Sequence, residues 1–204
     1  MTTDLPTATD DPPRALRADA RRNRESVLQA AEAVFAAQGV GVPVDEVAKR
    51  AGVGVGTVYR HFPTKELLFE AIVLSRLERL TARLDELCAA DGDAGTTFFA
   101  FLDEFSEEAA SKRDLFDALA NAGIDLKARD SASRPLADLR AAFAKLVERA
   151  QAAGTLRPDV SDEDVLGLVM GTCGSMAEGP GGTQPSRERM LAIVCDGLRL
   201  QPSH

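Results

Sequence analysis

The sequence has little of what catalysis usually needs: it contains no tryptophan, one tyrosine and two histidines, and aromatic residues make up 5% of its 204 residues. The histidines are His61 and His204, so none lies in the long stretch between them to act as a general acid or base. No run of alternating β-branched residues predicts a strand, and hence no glycine-rich phosphate loop follows one. These absences argue against an enzyme, and we expect no cofactor.

Cysteine is also scarce, and its positions exclude the usual cysteine-based sites. Cys88, Cys173 and Cys195 are odd in number and far apart, and there is no CxxC pair or Cys/His cluster. Neither a disulfide framework nor a metal site is therefore expected. No apolar run reaches the length of a membrane span, and the N-terminus lacks the apolar core of a signal peptide. We expect a cytoplasmic protein with no membrane partner.

An overall basic excess is missing too, since the net charge is −8, but the charge is unevenly distributed. Residues 14–65 carry nine basic and five acidic side chains, a net charge of +4. Residues 66–204 carry 15 basic and 24 acidic side chains, a net charge of −9. A basic head on an acidic body is expected of a DNA-binding protein with a separate sensing domain, because DNA repels the body and thereby helps to orient the head.

Alanine, leucine, arginine and glutamate are abundant, which predicts an all-α protein. The most informative stretch, residues 44–65, predicts two short helices joined by a tight turn at Gly52. The second helix, residues 54–62, ends before Pro63. We expect its apolar residues to pack on the first helix, namely Val55, Val58 and Phe62. The other residues form an outward surface without acid, typical of a helix-turn-helix whose second helix enters the DNA major groove: Gly56, Thr57, Tyr59, Arg60 and His61.

Over about residues 24–72 the sequence resembles the TetR family of transcriptional regulators. The resemblance rests on Ala51-Gly52-Val53, Gly56-Thr57-Val58-Tyr59, His61-Phe62, Lys65-Glu66 and Leu67-Leu68. It implies base or phosphate contacts by Val55, Gly56, Thr57, Tyr59 and Arg60, and phosphate contacts by His61 and Lys65. Gly54 and Val55 depart from the polar residues that the family often has at these two positions.

The N-terminal segment permits two interpretations. Residues 1–13 are rich in Thr, Asp and Pro and predict a disordered tail, and five arginines follow between Arg14 and Arg24. The arginines form either a basic arm that contacts phosphates or a minor groove, or the solvated start of a helix that is firm from about Ser26.

A long helix, capped by Thr64 and extending to about Ala89, joins the head to the body as one rod. The predicted domains are therefore an arm over residues 1–20, a DNA-binding domain over 21–68, and a helical ligand-binding and dimerisation domain over 69–204. Further helices are predicted at residues 96–111, 113–122, 135–153, after a cap at Ser161, and at 186–200, with a polar loop at 123–133.

Phenylalanines are concentrated in the first helices of the body. Their spacing is that of a core, but the resemblance also implies an apolar effector pocket in this region. The candidate ligand-binding residues are Phe98, Phe101, Phe105, Phe116, Leu119, Phe143, Met170 and Cys173.

The last two helices carry apolar residues on more than one face, and Gly167, Gly171 and Gly174 favour close helix approach. Ordinary packing within one chain explains this, as does a four-helix bundle made by two chains, which the resemblance implies.

We therefore predict a ligand-responsive regulator, a repressor that binds a near-palindromic operator in double-stranded DNA as a homodimer and is released by a small apolar ligand. Two alternatives remain open: a helical ligand-binding or interaction protein that does not bind DNA, and an enzyme that uses the pocket of the body.

Overall fold

The computed structural model of the chain describes residues 14–111, 130–174 and 186–200. This part contains eight α-helices and no strand, in agreement with the predicted all-α class. The chain divides between Ile72 and Val73 into an N-terminal and a C-terminal unit, shortly after the predicted boundary at residue 68. The predicted tail at residues 1–13 and the predicted helix at 113–122 lie outside the described residues.

The N-terminal unit consists of three helices and the beginning of a fourth: α1 (Arg14–Gln38), α2 (Val44–Ala51), α3 (Val55–His61) and α4 (Lys65–Ala89). Apolar residues recur every three or four positions, so each helix turns one apolar face inward. The buried side chains include Val27, Ala31, Val34, Phe35, Val47, Val58 and Leu68.

The turn between α2 and α3 has the predicted form. Gly52 adopts a φ of +70°, which a residue with a Cβ rarely does. The N–H of Val53 donates to the carbonyl of Ala48 at 3.1 Å and closes the end of α2. Helix α3 begins just after this turn and stops at His61, just ahead of Pro63. The turn and the proline together therefore set its length.

Val55 differs from the prediction that it packs on the first helix. Val58 is fully buried and Phe62 nearly so, but Val55 is exposed. The reason is the length of α3: it has only seven residues, and the buried contacts are made by Val58 in its middle and by Phe62 directly after it. Its first residue therefore extends past the contact with the core.

Helix α1 begins at Arg14, about three turns before the predicted firm start near Ser26. The segment between them contains alanine, leucine and arginine, which favour helix, and no glycine or proline. The arginine-rich segment is therefore helical from Arg14. Its contact with DNA, the first of the two interpretations, stays a prediction.

Helix α4 has the predicted bounds. Its first turn is capped by Thr64, whose Oγ1 accepts a hydrogen bond from the N–H of Leu67 at 3.3 Å. At its C-terminal end, the Arg149 guanidinium donates to the carbonyls of Leu87, Cys88 and Ala90 at 2.8, 2.6 and 2.7 Å. The last carbonyls of a helix have no hydrogen-bond donors within it, and Arg149 supplies donors to them.

The described part of the C-terminal unit holds the rest of α4 and four further helices: α5 (Ala94–Ser111), α6 (Asp130–Ala152), α7 (Asp162–Gly174) and α8 (Arg187–Leu198). They pack around a single hydrophobic cluster, which includes Phe98, Leu102, Leu146, Leu156, Val165 and Leu198. Helix α5 starts two residues earlier than predicted, because the Asp93 carboxylate accepts the N–H of Thr96 at 2.6 Å and caps it.

Helix α6 begins at Asp130, whereas the sequence predicted a loop through residue 133 and a start at Pro135. Proline suits a first turn, which made Pro135 look like the beginning. One proline near the N-terminal end removes a single intrahelical hydrogen bond, so the helix continues one turn further back.

The predicted cap of α7 is present, and α8 is also capped by a serine. The Oγ of Ser161 accepts the N–H of Asp164 at 3.1 Å, and the Asp164 carboxylate accepts the N–H of Ser161 at 2.9 Å. Ser186 caps α8 by accepting the N–H of Arg189 at 3.2 Å. Reciprocal bonding of the Ser161 kind satisfies two backbone donors at once.

The end of α8 is tied to the connector between α6 and α7 by an antiparallel bridge of Leu156 with Arg199. The N–H of Arg157 donates to the carbonyl of Leu198 at 3.0 Å, and the N–H of Leu200 donates to that of Thr155 at 3.1 Å. No sequence pattern predicted this pairing, because it joins two short segments that lack any strand pattern.

Candidate DNA-binding surface and ligand cavity

The outward side of α3 is exposed and free of acidic residues. Tyr59 is 49% exposed and Val55 is 38% exposed. Gly56 and Arg60 are also exposed, and Thr57 and His61 are half-buried. We call these six residues the recognition surface. Its lack of carboxylates makes it compatible with a phosphate backbone, and Arg60 and His61 lie in the last turn of the helix, where positive charge suits the helix dipole.

Lys65, predicted to contact phosphate, has contacts inside the N-terminal unit. Its Nζ donates to the carbonyl of Val42 at 2.6 Å and lies 5.5 and 5.9 Å from the ring centroids of Phe35 and Phe69. An ammonium has three N–H donors, so this arrangement leaves donors for a phosphate. Lys65 therefore holds the loop before α2 whether or not it also contacts DNA.

Three arginines of α1 have side chains that the structure describes. Arg21, Arg22 and Arg24 are exposed, Arg22 forms an ion pair with Asp19, and the guanidinium of Arg24 lies 5.5 Å from the ring centroid of Phe62. The last contact joins α1 to the residue that follows α3. A contact between these arginines and DNA phosphates stays a prediction.

The C-terminal unit contains a cavity of about 800 Å³ between α4, α5, α6 and α7. This size is within the range of small-molecule sites. Apolar side chains make up most of its wall: Leu80, Leu84, Phe101, Leu102, Phe105, Leu136, Leu139, Phe143, Val169 and Met170.

Four of the eight predicted ligand-binding residues line this cavity, namely Phe101, Phe105, Phe143 and Met170. Phe98 is not among the lining residues; it is fully buried in the hydrophobic cluster, with its ring centroid 5.1 Å from that of Phe99. Phe116, Leu119 and the side chain of Cys173 lie outside the described residues. The sequence did not single out the leucines of α4 and α6 in the wall, since leucine at helical spacing is also what a core requires.

A few polar side chains also line the cavity. Arg140 of α6 forms ion pairs with Asp162, at 3.7 Å, and with Glu163, both in the first turn of α7. Among the described residues of the wall, Ser133 is the remaining polar one. A ligand of this cavity would therefore meet mainly hydrocarbon and aromatic surface, with hydrogen-bonding partners in one region.

The described residues contain no group of His, Cys, Asp and Glu that could hold a metal ion. Burial raises the pKa of the Cys88 and Cys195 thiols, which disfavours the reactive thiolate form. None of the described helices is long and apolar enough to cross a membrane.

Two family models match the chain and together cover most of it. Residues 27–72 match "Bacterial regulatory proteins, tetR family", and residues 93–200 match "Transcriptional regulator SbtR-like, C-terminal domain". The chain belongs to the TetR family of transcriptional regulators. The predicted family, the all-α fold and the DNA-binding class are thereby confirmed, and this TetR-family protein is a regulator rather than an enzyme.

Solved and curated relatives agree with this membership. A TetR transcription regulatory protein from Mycobacterium vanbaalenii is 41% identical over 90% of this chain and 99% of that one, with a TM-score of 0.73. A TetR regulator from Streptomyces coelicolor is 30% identical over 88% of this chain and 99% of that one, with a TM-score of 0.69. An HTH-type regulator from Staphylococcus aureus is 34% identical over 79 residues. That match spans 37% of this chain and 41% of the curated relative, less than half of its length.

The C-terminal unit of this TetR-family regulator also contains buried polar residues that sequence reasoning missed. Arg76 of α4 is almost fully buried and forms an ion pair with Glu108 at 3.6 Å. Ser106 of α5 is fully buried and accepts a hydrogen bond from Arg187 at 3.2 Å. The burial of Arg76 could have been predicted from its position, since it falls three residues after Val73 on the apolar face of its helix.

Proposed function

We propose that this TetR-family regulator is a homodimeric repressor of transcription that works in the cytoplasm and is released from its operator by a small apolar ligand. The observation that supports operator binding is the recognition surface, which is exposed and acid-free while the other side of α3 is anchored by the buried Val58. Each subunit inserts α3 into one major groove.

Within each half-site the proposed contacts divide by chemistry. Val55, Gly56 and Thr57, at the beginning of α3, meet base edges, and Tyr59 and Arg60 extend to bases or phosphates. His61 and Lys65 donate to phosphates. The charged contacts make the affinity dependent on salt, because each neutralised phosphate releases a counterion.

The proposed dimer forms through α7 and α8. Leu168 of α7 and Ile193 of α8 are large apolar side chains with exposed surface, and Gly171 and Gly197 are exposed small residues on the same two helices. Two copies of this helix pair can make a four-helix bundle. A two-fold axis then requires a near-palindromic operator with recognition helices about 34–36 Å apart.

Ligand response is assigned to the cavity of the C-terminal unit. A molecule bound there acts only if it binds more tightly to a state with low operator affinity than to the operator-bound state. The apolar wall, with Phe101, Phe105 and Phe143 around it, favours an uncharged or largely apolar ligand.

A selection of bound duplexes from random DNA tests this proposal. We expect a palindromic consensus, and we expect some members of a panel of apolar small molecules to raise the melting temperature of the protein and to weaken its binding to the selected duplex. Arg60→Ala should weaken binding, whereas Arg134→Ala, which removes an exposed arginine from α6, should not. Ligand binding without retention of any duplex would instead favour a helical ligand-binding protein.

A further inference from the structure

The outward tip of α3 lacks hydrogen-bonding side chains. Gly54 is the N-cap and has none, and the first two helical residues are Val55 and Gly56. The first polar side chain is that of Thr57, which is half-buried. The N-terminal residues of a recognition helix contact base edges, and the first two of α3, Val55 and Gly56, cannot do so through side-chain hydrogen bonds.

Val55 offers methyl groups at this tip. It is exposed although Val58, three residues on, is fully buried, and Tyr59 lies one turn further along the same side. Val55 and Tyr59 thus form an apolar stripe on the recognition surface, and burying that stripe against an apolar partner is favourable. The apolar group that the major groove offers is the C5 methyl of thymine.

The glycines on either side of Val55 are not required by packing. A Cβ built at Gly54 or Gly56 meets no atom within 4 Å, and neither glycine has a positive φ. The missing side chains leave the Val55 methyls as the most prominent group of the tip and let DNA approach them closely.

We propose that Val55 reads a pyrimidine C5 methyl group, so that one position of each operator half-site is specified by a methyl group rather than by hydrogen bonds to the base. This proposal rests on the proposed operator binding. If the methyl group alone is read, 5-methylcytosine satisfies Val55 as well as thymine does, although the hydrogen-bonding edge of the base pair changes.

The test uses the full-length protein and a duplex that it selects from random DNA, resynthesised with deoxyuridine at one thymine position at a time. Deoxyuridine removes only the methyl group. At one thymine of each half-site we expect an affinity loss of about fourfold per half-site, the value of one buried methyl-sized group. Cytosine at that position should also weaken binding, and 5-methylcytosine should restore it. These measurements on the unmodified protein need no variant.

Val55→Ala assigns the effect to this residue. Alanine preserves the helix but is too short to reach the methyl group, so the variant should bind the thymine duplex more weakly and show no further loss with deoxyuridine. Leu67→Ala is the matched control, because Leu67 is another exposed apolar residue of the N-terminal unit, and it should keep the full response. Circular dichroism verifies that both variants are folded.

Two results overturn the proposal: no thymine of either half-site responds to loss of its methyl group, or the response persists in Val55→Ala. If the protein selects no duplex at all, operator binding itself fails and the methyl readout fails with it. If the protein selects a duplex whose affinity does not change with deoxyuridine, operator binding is supported and only the proposed role of Val55 is wrong.

Discussion

On the scale of single residues, the recognition helix separates side chains that hold the fold from side chains that are available to DNA. Val58 and Phe62 are buried in the N-terminal unit, while Tyr59 between them is about half exposed. An aromatic ring with a hydroxyl group can pack on a sugar while its hydroxyl donates to a phosphate. Substitutions at Tyr59 should therefore change binding without changing stability.

Tyr59→Phe tests this directly, because it removes only the hydroxyl. A hydrogen bond to a charged group contributes about 1.5–3 kcal/mol, so the affinity for the selected duplex should fall by roughly tenfold or more. The melting temperature should stay the same, since nearly half of the side chain is already in solvent. Fluorescence anisotropy on labelled duplex measures the first quantity and calorimetry the second. Equal affinities of the two proteins would mean that the hydroxyl does not contact DNA.

Lys65→Met separates the two roles of Lys65. The variant loses the hydrogen bond to the Val42 carbonyl and the interaction with the rings of Phe35 and Phe69, so the free energy of unfolding should decrease by about 1–2 kcal/mol. If Lys65 also contacts a phosphate, the slope of log affinity against log salt should become shallower by about one. Urea unfolding and a salt titration give the two values. A stability loss with an unchanged slope assigns Lys65 to the fold alone.

On the scale of helices, the sequence predicted bounds well where the signals were local. Gly52, Pro63, Thr64 and Ser161 each act through a neighbour within a few residues, and each marks the boundary that the structure has. The start of α1 was uncertain, because basic residues that favour helix are also what a DNA-binding arm needs. Contacts between distant segments, such as Lys65 with Val42, have no local signal at all.

The difference between local signals and contacts of distant segments also explains why only part of the ligand cavity was predicted. Helical spacing identified Phe98, Phe101 and Phe105 as one group, but it does not tell a cavity wall from a core. In the folded chain Phe101 and Phe105 line the cavity, and Phe98 is packed within the hydrophobic cluster instead. The difference depends on how α5 lies against α6 and α7, which only the assembled unit determines.

Arg149→Met tests the attachment of α6 to the end of α4. The variant removes three hydrogen bonds from a charged donor to helix-end carbonyls, so the free energy of unfolding should fall by about 2–3 kcal/mol. Arg134→Met is the matched control on the same helix: its side chain is strongly exposed and forms an exposed ion pair with Asp138 four residues on, which should make the loss less than about 0.5 kcal/mol. Equal losses in the two variants would contradict the role of Arg149.

Ser161→Ala tests the N-terminal cap of α7 and its dependence on pH. Loss of the cap should cost about 1 kcal/mol at neutral pH. The backbone N–H and then the hydroxyl of Ser161 hold the pKa of Asp164 below its ordinary value of 3.8. A lowered pKa stabilises the fold above the ordinary value, and this contribution is lost as the pH falls through the lowered one.

The hydroxyl contribution is absent from the variant, so the stability gap between the two proteins should narrow as the pH falls below about 3.8. Thermal unfolding at a series of pH values measures the gap. A gap that stays constant down to the lowest pH at which both proteins fold would show that the carboxylate does not depend on this hydroxyl.

On the scale of the whole molecule, the uneven charge of the sequence matches the division into two units. The basic residues 14–65 lie in the N-terminal unit with the recognition surface. The unit with the cavity begins at Val73, and residues 73–204 carry 15 basic and 22 acidic side chains, a net charge of −7. In the proposed binding mode, one such head per chain binds a single groove. Tight binding to a palindromic site therefore depends on pairing two chains, which joins both half-sites in one complex.

Ile193→Glu tests that pairing. Ile193 is 63% exposed on α8, so a glutamate there is solvated in the single chain and should leave its fold intact, whereas in a bundle of two chains it would place a charge in an apolar contact. We expect the mass in solution, measured by light scattering, to fall from two chains to one, and the affinity for the full selected duplex to approach that for a half-site. Leu67→Glu, an exposed apolar residue of the N-terminal unit, is the control for introducing a glutamate and should keep the mass of two chains. If Ile193→Glu remains a dimer with full operator affinity, the chains pair through another surface.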